Sequence, residues 1–120
     1  MDLPQRVADD LGLARPQAEQ ALSALFMSIR MAVDPALFSQ ITAALPEVET
    51  WLRDIELAGG RTGEILALAG PEGLGRQLKR VGCNEQQSRR LGATVGTALG
   101  ELLAKDVAEK VVSRVPLLKG

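Results

Sequence analysis

Residues 91–103 have the sequence LGATVGTALGELL, in which Gly92, Gly96 and Gly100 recur at every fourth position of an otherwise helical pattern. We call these three residues the glycine stripe. Each glycine inside a helix costs about 1 kcal/mol relative to alanine, so close packing must offset the loss. Residues four apart share one helix face, and another chain segment can approach this one closely. The same spacing favours dimerisation in membranes, but this apolar run is too short to span a bilayer. The stretch therefore predicts a buried helix of a helical bundle.

The composition of the chain favours packed helices over a β-sandwich. Of its 120 residues, 46% are hydrophobic but only 2% are aromatic, so the core is built from Leu, Val, Ile and Ala. This length corresponds to about one domain. One cysteine rules out a disulfide within the chain, and the first residues lack the pattern of a secretory signal, so we expect a cytoplasmic protein.

Apolar residues at helical spacing divide the chain into short and long helices. The predicted helices cover residues 3–11, 16–31, 35–45, 46–57, 62–69, 72–81, 85–104 and 106–115, with a tail over 116–120. Gly12 is a C-terminal stop, and Asp34 before Pro35 is suited to cap the third helix. Either Cys83 or Asn84 caps the helix that carries the glycine stripe.

An internal repeat is the strongest organisational signal in the sequence. Residues 6–48 align without gaps on residues 76–118, at an offset of 70. Leu11-Gly12 falls on Val81-Gly82, and Gln17 falls on Gln87. The alignment predicts a single-domain, all-α helical bundle over residues 1–120, made of two tandem, pseudo-two-fold related three-helix units.

The repeat also suggests a partner for the glycine stripe. Its three glycines align with Leu22, Phe26 and Arg30 of the first unit. We therefore expect the large side chains of Leu22 and Phe26 to pack against the glycines, as dense core packing requires.

The two halves of the chain carry opposite charge. Residues 1–60 contain nine acids and four bases, whereas residues 61–120 contain six acids and ten bases. The halves either complement each other within one fold or drive head-to-tail association. The basic side chains cluster in what we call the basic set, which consists of Arg76, Lys79, Arg80, Arg89 and Arg90. The set could contact nucleic acid weakly, but it lacks accompanying aromatic residues, and the isoelectric point of about 5.5 argues against a dedicated binder.

Four segments carry a resemblance to a known group of proteins. They are DDLGL (9–13), ALSALFMSIRMAV (21–33), FSQITAALPEVETWL (38–52) and EGLGRQLKRVGCNEQQSRRLGATVGTALGELL (72–103). Together they resemble small bacterial all-helical domains of unknown function, in particular the VcgC/VcgE-like group. The motifs consist of helix periodicity with Gly and Pro punctuation. The resemblance implies an all-α fold and carries over no catalytic residue.

The residue types that most enzymes rely on are scarce. The chain has no His and no Tyr, which removes the commonest general base and the usual transition-metal ligand. None of the five serines has the surroundings of a known nucleophile. Cys83 is either a thiol activated by a helix N-terminus or an inert buried one. The acidic pairs lack calcium-loop spacing, and Gly70–Gly75 lacks the strand and the Gly-Lys ending of a phosphate loop. We expect no enzyme activity, no cofactor and no metal.

The remaining candidates are interaction residues. Trp51 either seals the core or anchors a partner. The second unit stops after Pro116, where the first continues into the Trp51 helix, so we expect an uncovered site near Leu117 and Leu118. The sequence predicts a non-enzymatic protein-interaction or self-assembly module. The alternatives are a carrier of a small apolar ligand and a weak nucleic-acid binder.

Overall fold

The computed structural model describes residues 2–57 and 70–119, which fold into seven α-helices and a C-terminal 3₁₀ helix. The helices are α1 (Leu3–Leu11), α2 (Arg15–Ala32), α3 (Pro35–Ala44), α4 (Glu47–Leu57), α5 (Gly70–Arg80), α6 (Glu85–Leu102), α7 (Lys105–Arg114) and the 3₁₀ helix Pro116–Lys119. Since no strand occurs in these two ranges, the all-α prediction is confirmed. The helix predicted over 62–69 lies outside the described residues.

The helix ends follow from local side-chain and backbone chemistry. Gly12 and Gly82 end α1 and α5 with φ angles of 69° and 95°, in the left-handed region that glycine adopts without strain. The Asp34 carboxylate accepts a hydrogen bond from the Leu37 N–H at 2.7 Å and caps α3. Asn84, and not Cys83, caps α6 by accepting from the Gln87 N–H at 2.8 Å.

Two pairs of helices have matching lengths and positions, whereas the short helices α1 and α5 differ, with 9 and 11 residues. The long helices α2 and α6 each contain 18 residues, and they begin at Arg15 and Glu85, 70 residues apart. The helices α3 and α7 each contain 10 residues and begin at Pro35 and Lys105, again 70 residues apart.

The two halves pack against each other through their short helices. Helix α1 contacts α2 and also α6, and helix α5 contacts α6 and also α2. Helix α4 lies against α2 and α3, while the 3₁₀ helix lies against α6 and α7. The long helices supply the following fully buried side chains: Leu22, Leu25, Phe26 and Ile29 from α2, and Leu91, Val95 and Leu99 from α6. The resulting body measures 33 × 31 × 24 Å.

Hydrogen bonds between the halves accompany this packing. The side-chain amide of Gln87 donates to the carbonyl oxygen of Leu11 at 3.1 Å. The side-chain amide of Gln17 donates to the carbonyl oxygen of Val81 at 3.4 Å. Each glutamine therefore satisfies a carbonyl at the C-terminal end of the other half's short helix, where no intrahelical donor remains.

Candidate interaction groove

The segment packed against the glycine stripe is the 3₁₀ helix. A Cβ atom placed on Gly92 would overlap the carbonyl oxygen of Leu117, and one placed on Gly96 would overlap the carbonyl oxygen of Leu118. Two of the three glycines thus allow backbone to approach backbone more closely than any side chain permits.

This contact corrects the prediction that Leu22 and Phe26 pack into the glycine stripe. The ring of Phe26 instead lies 5.6 Å from the ring of Trp51, at an interplanar angle of 46°. The Phe26 face of α2 is therefore turned toward α4. The nearest neighbours of Gly92 and Gly96 are Leu117 and Leu118, and not the residues of α2 that align with them.

The same contact changes the role of Leu117 and Leu118. These residues were expected beside an uncovered site, but Leu118 is buried and Leu117 is half-buried. Their segment is itself the cover over Gly92 and Gly96, because it folds back onto α6. Leu118 therefore offers no exposed apolar surface, and Leu117 is only partly exposed.

The third glycine of the stripe is open. No atom of the described structure lies within 4 Å of a Cβ placed on Gly100. Gly100 instead borders a groove between α6 and α7 with a volume of about 370 Å³. We call it the α6/α7 groove, and it is lined by Gly96, Gly100, Lys105, Ala108, Glu109, Val112 and Ser113. Its floor is apolar, while Lys105, Glu109 and Ser113 are exposed.

The sequence analysis missed the contribution of α7 to this groove. Val107 and Val111 form one apolar row of α7 that is buried in the core. Ala108 and Val112 form a second row, one position further around the helix, and this row faces the groove. The two adjacent rows together form an apolar stripe of ordinary width for a helix packed on a core, so the sequence pattern alone does not identify the groove.

At three of the seven positions that line the groove, the first half has a larger side chain. At an offset of 70, Gly96 corresponds to Phe26 and Gly100 to Arg30, while Ala108 corresponds to Phe38. Phe26 is fully buried, and α4 packs across α2 and α3 on that side. The groove therefore coincides with a series of large-to-small differences between the halves.

Trp51 lies in the core and contacts solvent only at its edge. It is 7% exposed and packs on Phe26. This position agrees with the interpretation of Trp51 as a core seal. Its edge borders a second groove of about 330 Å³, which is also lined by Asp2, Leu3, Pro4, Arg15, Glu19, Leu45 and Glu47. There, hydrogen bonding from the Arg15 guanidinium, at 3.0 Å, lowers the pKa of Asp2.

The basic set is exposed on two helices. Arg76, Lys79 and Arg80 share one face of α5 by their spacing, and no ion pair to them is seen within residues 2–57 and 70–119. On α6, Arg89 pairs with Glu85 at 2.7 Å, but both side chains are more than half exposed, so the pair contributes little stability. Exposure alone leaves the nucleic-acid interpretation a prediction.

The groups considered for catalysis and metal binding were Cys83 and the acidic pairs. Cys83 is buried, and burial raises the pKa of its thiol, which favours the inert alternative over a thiol activated by a helix N-terminus. No three His, Cys, Asp or Glu side chains gather as a metal site in the described parts of the chain. Asp10 of the acidic pair Asp9-Asp10 instead accepts a hydrogen bond from the Thr94 hydroxyl at 3.0 Å, joining α1 to α6.

Comparison with protein-family models, with curated proteins and with solved structures gives no match in any of the three cases. The resemblance to the VcgC/VcgE-like group therefore stays a prediction from its motifs. Of the helices in the described ranges, none combines the length and hydropathy needed to cross a membrane.

Proposed function

We propose that this protein is a non-enzymatic protein-interaction module of the bacterial cytoplasm, built from two pseudo-two-fold related units, which receives its partner in the α6/α7 groove. The observation that carries the proposal is Gly100. A glycine inside a helix costs about 1 kcal/mol and is normally offset by a close approach. Gly92 and Gly96 have such a neighbour in the 3₁₀ helix, but Gly100 has none. The missing neighbour is supplied by another molecule.

Reciprocal contacts support the two-unit organisation. Gln17 bonds to Val81, and Gln87 bonds to Leu11. At the offset of 70, Gln17 aligns with Gln87 and Leu11 aligns with Val81, so each bond is the counterpart of the other. A two-fold axis produces this relation, in which residue i contacts residue j and j contacts i. The matched bounds of α2 with α6, and of α3 with α7, support the same axis.

The proposal is tested with a substitution that fills the groove. In Gly100→Leu the new Cβ has open space, the rest of the side chain extends into the groove, and a poor helix former is replaced by a good one, so we expect the variant to fold. Thr97→Leu, at an exposed position of the same helix outside the groove lining, is the matched control.

Peptides are selected from a random displayed library on the immobilised protein and then assayed on both variants. We expect selected peptides to bind the wild type and Thr97→Leu equally and to lose at least tenfold in affinity for Gly100→Leu. Peptides that bind all three proteins alike would overturn the groove as the interaction surface.

Self-assembly is the case in which the partner is a second copy. Light scattering and native mass spectrometry distinguish it, because a dimer or larger species that becomes monomeric in Gly100→Leu places the contact in the groove. The same mass spectrum tests the carrier alternative, which predicts additional mass from a bound apolar ligand. Binding to a random DNA duplex at low salt tests the basic set.

A further inference from the structure

We infer that the occupant of the α6/α7 groove is a short amphipathic helix of a partner protein, which inserts a bulky apolar side chain beside Gly100 and Ala108. This inference rests on the proposed function and adds the chemical class of the partner.

The first half shows how an equivalent surface is covered. Helix α4 lies against α2 and α3, which correspond to the two helices that form the groove. Its inward side chains are Val48, Trp51 and Leu52, at positions i, i+3 and i+4, and all three are buried. The surface is covered by one helix with an apolar stripe, which is a common mode of peptide recognition in grooves.

The size of the groove residues sets the size of the partner's side chains. In the first half, the bulk at the interface is shared between Phe26 on α2 and Trp51 on α4. In the second half, the backbone of Leu118 fills the space at Gly96, but Ala108 replaces Phe38 and leaves its volume unfilled. Since interiors pack to uniform density, the occupant must supply the missing volume with an aromatic or large aliphatic side chain.

The length and charge of the groove further define the occupant. Its α7 side runs from Lys105 to Ser113, nine residues that span roughly 12 Å, which accommodates about two helical turns. The exposed rim carries Lys105 and Glu109, one turn apart and of opposite sign. A complementary helix bears an acid and a base one turn apart beside its apolar stripe. Helix α4 has this arrangement in Glu49 and Arg53, which are both exposed.

The sequence of α4 therefore provides a probe. A fluorescently labelled, capped peptide of residues 46–57 (PEVETWLRDIEL) is titrated into the full-length protein, with anisotropy as the readout. We expect saturable binding with one peptide per chain. Binding should weaken at least tenfold for the Trp51→Ala peptide and for the Gly100→Leu protein, and should be unchanged for Thr97→Leu.

Amide chemical-shift mapping locates the bound peptide. Shifts at Gly96, Gly100, Ala108 and Val112 support the inference, whereas shifts confined to α2 and α3, or no binding at millimolar peptide, overturn it. Groove-dependent peptides from the random library that lack an apolar helical stripe would overturn the helix while leaving the proposed function intact. If the library yields no groove-dependent peptide, both this inference and the proposed function are contradicted.

Discussion

Gly92 and Gly100 differ in what a side chain at each position would contact. Substitution of each by alanine adds one methyl group and tests this difference. In Gly92→Ala the new Cβ meets the backbone of Leu117, which cannot rotate away. Overpacking costs about 1–3 kcal/mol and exceeds the gain in helix propensity of about 1 kcal/mol, so we expect net destabilisation. In Gly100→Ala the space is open, and we expect stabilisation by about 1 kcal/mol.

Urea denaturation of the two variants measures these opposite signs. Equal changes in the unfolding midpoint would contradict the contact between the 3₁₀ helix and α6. The slope of the transition should be unchanged in both variants, because neither substitution alters the surface exposed on unfolding by a large amount.

Cys83 gives the stability of the protein a dependence on alkaline pH. Burial raises the pKa of its thiol in the folded state above the unfolded value, which is about 8.5. The folded state then holds the proton more tightly, so this contribution to stability is complete below the unfolded pKa and declines as the pH rises above it. We expect the urea midpoint of the wild type to fall more steeply between pH 8 and 10 than that of Cys83→Ala. Parallel curves would contradict the raised pKa.

At the scale of helices, Gln17 and Gln87 each donate a hydrogen bond from one half of the chain to the other, and the bonds of the two residues differ in length. Gln87 accepts from the Asn84 N–H at 2.9 Å and donates to Leu11 at 3.1 Å, whereas both corresponding bonds of Gln17 measure 3.4 Å. A hydrogen bond of good geometry contributes about 1 kcal/mol, and bonds near 3.5 Å contribute less. We therefore expect Gln87→Ala to destabilise the protein by about 1–2 kcal/mol and Gln17→Ala by clearly less. Thermal or urea unfolding of the two variants measures the difference, and a reversed order would contradict the geometry.

The helices and their ends could be predicted from the sequence because both depend on residues close by in the chain. Gly12 supplies a left-handed residue, and Asp34 and Asn84 supply capping oxygens, within a few positions of the helices they end. The segment that covers the glycine stripe could not be predicted in the same way. Glycine creates space without indicating which segment fills it, and here the filler is the 3₁₀ helix, which begins 14 residues after the end of α6 at Leu102.

The proposed repeat carries part of this information. The 3₁₀ helix Pro116–Lys119 aligns, at an offset of 70, with the start of α4. Because α4 lies on the Phe26 face of α2, the proposed repeat favours the 3₁₀ helix, and not α2, as the segment over Gly92 and Gly96. The apolar pattern of α7 places Ala108 and Val112 on its apolar face, but it does not identify them as neighbours of Gly100.

At the scale of the whole molecule, the packing of α1 on α6 and of α5 on α2 makes each half depend on the other. We therefore expect one cooperative unfolding transition. Trp51 reports on the first half through its buried ring, and Cys83 reports on the second through protection of its thiol from a labelling reagent. The two probes should give coincident urea midpoints. Separate midpoints would show that the halves unfold independently.

The same exchange of short helices constrains how the chain folds as it is synthesised. Helix α1 is synthesised before α6, which is one of its two main packing partners and begins only at Glu85. Of those two partners, only α2 is present in that interval, and Gln87, which donates to the carbonyl of Leu11, follows 76 residues later. Contacts of such sequence separation slow folding and leave apolar surface exposed in the meantime. The last step of folding therefore depends on the second half of the chain.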